Sequence, residues 1–450
     1  MERSIQNPRL RTRARTATVI MKILLINPKR VGWGQSSIRY MNSTPLALPT
    51  LKALTPDDIE VEIVDENYDT IPFDEFWDLV GITVMLHVSP FAIEIARNFR
   101  ERGIKVAFGG FYPTLSYEKA RPHVNTVIAG EAEYVWNDLI EDLRNNQLKP
   151  FYKAKCLIDL KDIPFINKGL FSENDEVYHI ETTRGCPYNC DFCSVTAFYG
   201  AKIRHRPIEH VVRQLAEFKD KMIFFVDDNI VGQPEYARQL FKEIAPLKLK
   251  WSGQFSLNHA ERTDIMGLAV ESGCQFLFTG IESLSLENLQ FVDKKWAKPE
   301  KFKEWIKMTH DTGIALYGSF MFGFEEDTPD VFQKTFDFCE ENELELALFS
   351  ALFPIEGSKF YAQLKSENRI FETDATRFNG QHSTFYPKRM TSEQLDEGLR
   401  WIWQAFYSKK SIKKRLNRLI KEGKEHPNKE NGYLTLSALN MAFKIAVRDF

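Results

Sequence analysis

The sequence predicts an α/β protein in three parts: an N-terminal doubly wound, Rossmann-like parallel sheet, a partial (β/α)6 barrel, and a mainly helical C-terminal region. Three observations predict it. Short apolar runs alternate with amphipathic stretches in two separate series, which implies two parallel sheets clothed by helices. A stretch of weak periodicity with Pro150 and Pro164 separates the series. After about Glu372 only helical spacing continues. At 450 residues the chain is too long for one ordinary core, and 43% hydrophobic content can build more than one. The expected boundaries are a disordered leader over 1–20, a sheet domain over 21–145, a linker over 146–175, the barrel over 176–360 and the helical region over 361–450.

In the first series KILLIN (22–27), VEIVDE (61–66), LVGITV (79–84), KVAFGG (105–110) and TVIAGE (126–131) read as strands, with helical spacing over 90–103 and 132–143. Ligands of such folds sit beyond the carboxyl ends of the strands. Gly109, Gly110 and Gly130 fall at those ends, where a missing Cβ either lets backbone approach a bulky ligand or simply allows a tight turn.

The second series has six strand-like runs: 177–183, 222–228, 250–256, 274–280, 314–323 and 344–353. Helical stretches at 208–218, 234–244, 262–271, 299–310 and 329–341 lie between them. Six β/α units make a partly closed barrel whose chemistry would sit in the loops after the strands. Further on, the basic segment 409–424 places Ile412, Leu416, Leu419 and Ile420 on one helical face. Such a helix either docks on the barrel or lies on an anionic membrane surface.

Lys and Arg number 59 against 62 Asp and Glu, so a formal charge of −3 gives no global field for nucleic acid. Five arginines (Arg3, Arg9, Arg11, Arg13, Arg15) crowd the first fifteen residues, read as a disordered leader in preference to a targeting peptide. No secretory h-region and no apolar run of roughly eighteen residues is present. A cytoplasmic protein with reduced cysteines is expected, with membrane association as the alternative raised by 409–424. Cys156, Cys274 and Cys339 read as buried core thiols.

The other three cysteines stand within eight residues, in CPYNCDFC, at Cys186, Cys190 and Cys193. Structural zinc takes four ligands, commonly two Cys-x-x-Cys pairs, and His179 and His205 do not complete such a set. A redox pair or disulfide would need only two. A cubane iron–sulfur cluster offers four iron corners, and a tight loop reaches three, leaving one open.

The spacing C-x-x-x-C-x-x-C, with Phe192 before the last cysteine, after the first strand of a β/α barrel, resembles the signature of the radical S-adenosylmethionine superfamily. The resemblance implies a 4Fe–4S cluster on Cys186, Cys190 and Cys193, and S-adenosylmethionine at the open iron beside Phe192. It also implies contacts to the methionine ammonium from Asp227, Asp228 and Asn229, to the ribose from Glu282 and Ser283, and to the adenine from Met321 and Gly323 in SFMFG, where Ser319 replaces a first glycine. For each of these the alternative is an ordinary strand end or cap.

A sheet domain ahead of such a barrel looks like the cobalamin-binding subgroup, which has phrases similar to GGFYPT (109–114) and AGEAE (129–133). Gly109, Gly110, Thr114, Gly130 and Glu131 would then contact cobalamin. The C-terminal extension most resembles that of hopanoid methylases. No D-x-H-x-x-G run exists, and His87 lacks that setting, so cobalamin would bind without a protein histidine as its lower ligand. Alternatively the domain keeps the shape and has lost the cofactor.

What the resemblance implies is a radical enzyme that methylates an unactivated carbon. Its substrate would be a small molecule or lipid, and a protein such as flavodoxin or ferredoxin would supply electrons. Radical chemistry without methylation (cyclisation, rearrangement, oxidation) and a non-enzymatic iron–sulfur protein are the alternatives.

Overall fold

The computed structural model describes residues 21–29, 43–425 and 430–446; the expected leader, 1–20, lies outside them. The first sheet contains β1 (Met21–Asn27), β2 (Ile59–Asp65), β3 (Leu79–Thr83), β4 (Lys105–Gly109), β5 (Thr126–Ala129) and β6 (Phe151–Lys153). All pairings are parallel, in the order β2-β1-β3-β4-β5-β6. The unbroken apolar runs follow from burial on both faces. Along β1, Ile23 and Leu25 pack under helices Ala47–Leu54 and Trp136–Arg144, while Leu24 and Ile26 pack under Ser89–Glu101. The strand order reverses at β1 and β3, which opens a crevice beyond their carboxyl ends.

The stretch expected as a linker, 146–175, supplies β6. It is three residues long with only Tyr152 buried, too short for a period to register. Cys156, expected in a core, follows this edge strand and is exposed, whereas Cys274 and Cys339 are buried.

The second sheet runs β7 (Val177–Ile180), β10 (Met222–Phe225), β11 (Trp251–Gln254), β12 (Cys274–Glu282), β13 (Ala315–Phe322) and β14 (Leu346–Ala351), all parallel and in chain order. A small antiparallel pair, β8 (Thr183–Arg184) with β9 (Arg204–His205), lies outside it. Helices Ile208–Leu215, Pro234–Ile244, Thr263–Glu271, Phe302–Asp311 and Val331–Glu341 connect the strands as expected. β7 and β14 each have one sheet neighbour, so the barrel has an open seam between them.

The C-terminal region covers the β14 side. On helix Ser392–Phe406, Trp403 Nε1 donates to Phe349 O (2.7 Å), and Tyr407 just beyond it donates to Ala347 O (2.8 Å). Before that helix, residues 370–385 fold over the mouth: Ala351 N donates to Gly380 O at 2.8 Å, and the turn Ala375–Arg377 reaches Leu86–Val88 of the first domain.

Helix Lys409–Glu425 docks on the protein with Ile412 and Leu419 buried, while Ile420 is exposed. Each buried side chain of that kind contributes about 1.5–3 kcal/mol. Arg415 is buried too, its guanidinium carbon 3.8 Å from the Phe406 ring centre and its Nη2 donating to Phe406 O. The apolar face read as a membrane candidate is thus largely used internally. Among the described residues no helix is long and apolar enough to cross a membrane.

Candidate functional site

The cysteine loop leaves β8 through Gly185. Its φ is +88°, and a Cβ there would lie 2.1 Å from Lys202 O, so only glycine permits the turn. The Gly185 N–H donates to Asp228 Oδ2 at 2.9 Å. The middle of the loop is pinned by Asp191: its N–H donates to Val292 O (3.0 Å), its carbonyl accepts from Phe360 N (3.0 Å), and its carboxylate pairs with Lys359. Cys193 then leads into helix Ser194–Tyr199.

Burial pushes the Cys186 thiol up to about 11 and Cys190 to about 12, and raises Cys193 as well. The three sulfurs therefore stay protonated at neutral pH unless a metal takes the proton's place. Three soft donors on one loop, beside a buried ammonium that offsets thiolate charge, suit an iron–sulfur cluster.

That ammonium is Lys294, which sequence reading missed. It is 5% exposed, its Nζ lies 2.8 Å from Glu282 Oε1, and it sits 4.9 Å from the Trp296 ring centre and 5.9 Å from that of Phe192. Burial works against its charge, but Glu282 and the nearby Cys190 and Cys193 hold it above the ordinary lysine range. Nothing local distinguishes it from Lys295, whose side chain is largely exposed.

The strand-end residues divide by role. Asp227 is fully buried, accepting from Thr182 N (3.1 Å) and from the Thr182 and Thr183 hydroxyls (both 2.6 Å). It ties β10 to the start of the cysteine segment, and burial raises it to about 7 despite these bonds. Asp228, raised to about 6 by burial, spends one oxygen on Gly185. Asn229 donates to Ser256 Oγ at 3.0 Å, while its Oδ1 is buried with no partner among the described residues. An acceptor left in this way suits a cationic donor such as an amino acid ammonium.

Glu282 ends β12 at φ +67°, where the register with β13 shifts, and its carboxylate is engaged by Lys294. Ser283 Oγ accepts from Ser285 N (3.2 Å) and Asn288 Nδ2 (3.3 Å), a turn network. Phe192 and Met321 converge on one apolar cluster with Phe324, Phe360 and Phe385. Gly323 turns at φ +99°, its N–H donating to Asp327 Oδ2.

A cavity of about 630 Å³ lies at the β1/β3 crevice, between the domains. Gly109, Gly110 and Gly130 line it, as do His87 and Glu131. Phe198 and Tyr199, from the helix after Cys193, form the facing wall. At Gly109 and Gly130 a Cβ would meet nothing within 4 Å, a cradle that side chains would fill and a large ligand can use. Thr114 acts from behind: its hydroxyl donates to Gly110 O (2.7 Å) and accepts from Gly130 N (2.9 Å), tying the two glycine turns together. Glu131 is ion-paired with Arg184 (2.9 Å) and Arg204 (2.8 Å). Burial pushes its carboxyl up, but these arginines outweigh that and hold it below the ordinary range.

Comparison with known proteins agrees with this geometry. The radical SAM superfamily matches residues 180–339, and a domain of unknown function (DUF4070) matches 358–449. Over 412 residues the chain is 30% identical to bacteriochlorophyllide d C-12(1)-methyltransferase of Chlorobaculum tepidum, covering 88% of this chain and 89% of the relative. It is 24% identical over 397 residues to hopanoid C-2 methylase of Rhodopseudomonas palustris, covering 82% and 74%. Two solved structures share the fold. One is the radical S-adenosylmethionine methyltransferase TsrM from Kitasatospora setae with cobalamin and a 4Fe–4S cluster bound, at TM-score 0.65 and 14% identity over 86% of this chain and 88% of that one. The other is the cobalamin-dependent radical enzyme OxsB with aqua-cobalamin bound, at TM-score 0.69 and 17% identity over 93% and 72%. The chain therefore belongs to the radical S-adenosylmethionine superfamily, and it shares its two-sheet fold with the two cobalamin-dependent members just described.

Proposed function

We propose that this enzyme transfers a methyl group to an unactivated carbon of a small, largely apolar molecule. The observation that carries the reading is a shared wall. Helix Ser194–Tyr199 starts beside Cys193 and presents Phe198 and Tyr199 to the interdomain cavity. Six residues of helix span about 9 Å, so the cysteine loop and the cavity flank one short element. The chemistry that the bound groups supply is one-electron cleavage of a sulfonium to a radical that removes hydrogen from carbon, and storage of the methyl group that replaces it.

The residues of the chain position and shield. Cys186, Cys190 and Cys193 would hold the cluster, and Gly109 and Gly130 would let the corrin of cobalamin lie close to backbone, while Gly110, where a Cβ would press on Val84 backbone at 3.1 Å, makes the turn. Asn229 Oδ1 and the second oxygen of Asp228 accept from the methionine ammonium, while Asp227 and Gly323 hold the loops that present the site. Phe192 and Met321 give the adenine an apolar wall, and Glu282 with Ser283 bounds the ribose side. Phe198 and Tyr199 keep water from the space between the two sites, which a carbon radical requires.

The relatives, named for a bacteriochlorophyllide and a hopanoid, support an apolar substrate. A small electron-transfer protein such as flavodoxin or ferredoxin supplies the electron.

The test is anaerobic reconstitution with iron, sulfide, cobalamin, S-adenosylmethionine and reductant. Wild type is expected to form 5′-deoxyadenosine, and replacing all three loop cysteines with alanine should abolish both iron binding and that product. With candidate apolar substrates the product should be heavier by one methyl group; a turned-over but unmethylated product would sink the methyl-transfer reading.

A further inference from the structure

The wall that the barrel gives to the cavity is built of charge. Arg184, in β8, faces three carboxylates: Nη1 lies 2.9 Å from Glu131 Oε1, Nη2 2.6 Å from Glu133 Oε1, and Nε 2.7 Å from Glu181 Oε1. Arg204, paired with Arg184 across the β8–β9 ladder, takes both oxygens of Glu131, at 2.8 and 3.0 Å. Three carboxylates thus meet two guanidiniums, and Glu131 is fully spent. Glu133 and Glu181 are not. Both line the cavity, yet the second oxygen of each, Oε2, has no hydrogen-bond partner among the described residues. The Glu133 side chain is only 8% exposed and lines the cavity. An acceptor in that position calls for a donor on the ligand.

We propose that this rim selects corrinoids by their periphery: Glu133 and Glu181 accept hydrogen bonds from the side-chain amides of an amidated corrin and reject corrins that carry free carboxylates there. The inference rests on the assignment of this cavity to cobalamin. A corrin amide NH2 is a donor that a spare carboxylate oxygen can take without any net charge being buried. A peripheral carboxylate brings only acceptors and a like charge, and Arg184 is already committed to three acids and cannot answer it. The lower nucleotide takes no part, so removing it should not matter to this selection.

The test measures binding directly, by equilibrium dialysis of the cluster-loaded full chain against corrinoids followed by their visible absorption. The probes are dicyanocobinamide, which is amidated and lacks the nucleotide, and dicyanocobyrinic acid, which carries carboxylates in place of the amides. At 0.5 M salt, repulsion from the protein's overall charge is screened over about 4 Å, so the local contacts decide. Cobinamide is expected to bind about 100-fold more tightly than the acid, the scale of a like-charge contact withdrawn from water. E133Q and E181Q, which add an amide donor and remove a charge, should each narrow that ratio, with iron content reporting that the barrel still assembles. Equal binding of the two probes by the wild type overturns the proposal but leaves the cavity assignment standing. An unchanged ratio in both iron-loaded variants overturns it as well. If neither probe binds, the assignment itself falls and the inference with it.

Discussion

Replacing Lys294 with methionine tests whether the buried Lys294–Glu282 pair organises the site. The two side chains are 7% and 10% exposed and meet at 2.8 Å, and Glu282 is held in a left-handed backbone conformation. Gly280 lies directly beneath, where a Cβ would be 2.1 Å from Glu282 Oε1, so the buried carboxylate occupies space that only glycine leaves open. Losing the lysine leaves a confined charge without a partner, which costs about 3–5 kcal/mol. Adding Glu282→Gln removes the charge and leaves a buried amide, whose residual cost is about 1–3 kcal/mol; the double variant should recover about 2 kcal/mol. Urea denaturation followed by tryptophan fluorescence reads both, since Trp296 lies 4.9 Å from Lys294. The comparison belongs to the barrel transition alone, because a chain with two sheets need not unfold in one step. A cost below about 1 kcal/mol for K294M, or no recovery in the double variant, would refute the reasoning, since breaking a buried pair is expected to cost several times that.

Other outcomes follow from the same geometry. Asp227 stands at about 7 in the folded chain, above its value of about 4 when unfolded. Its contribution to stability is therefore complete below about pH 4 and lost as pH rises to about 7; D227N should flatten that fall, and an unaltered slope in pH-dependent denaturation would contradict the assignment. Gly185→Ala forces a Cβ against Lys202 O at a positive φ, so a loss of more than about 2 kcal/mol is expected, with reconstituted iron falling in parallel. His87 lines the cavity and is expected not to serve as a lower ligand: cob(II)alamin bound to wild type and to H87A should give the same electron paramagnetic resonance spectrum. Nitrogen splitting present in wild type and absent in H87A would reverse that.

Strands with unbroken apolar runs were legible in the sequence because burial on both faces leaves no polar positions, as along β1. The six barrel strands were legible from their alternation with helical stretches, even where the strand itself, as β11 (Trp251–Gln254), is not an apolar run. β6 was not legible, because a single buried Tyr152 makes no pattern. The cysteine loop was plain because its spacing is a covalent fact that needs no tertiary contact to be seen. Lys294 was opaque for the opposite reason: only the folding of residues 282–294 back toward Phe192 distinguishes it from its exposed neighbour. Asp227 looked like a ligand contact and is spent on Thr182 and Thr183, a distinction that depends on which way one side chain turns at a strand end. Glu131, expected against cobalamin, lines the cavity while its oxygens are held by Arg184 and Arg204. Cys156 looked like a core residue because local hydrophobicity does not reveal that the segment after an edge strand runs along the surface.

The open seam between β7 and β14 has a consequence for how this architecture can change. A ring that closed on itself would have to widen everywhere to admit a bulkier guest. Here the rim beside the gap is a separate strap, 370–385, clasped to the last strand through the carbonyl of Gly380. Lengthening or redrawing that strap between its two ends, Ile370 and Phe385, which pack in the apolar cluster that Phe192 joins, would reshape the doorway while the thiol-bearing loop keeps its form.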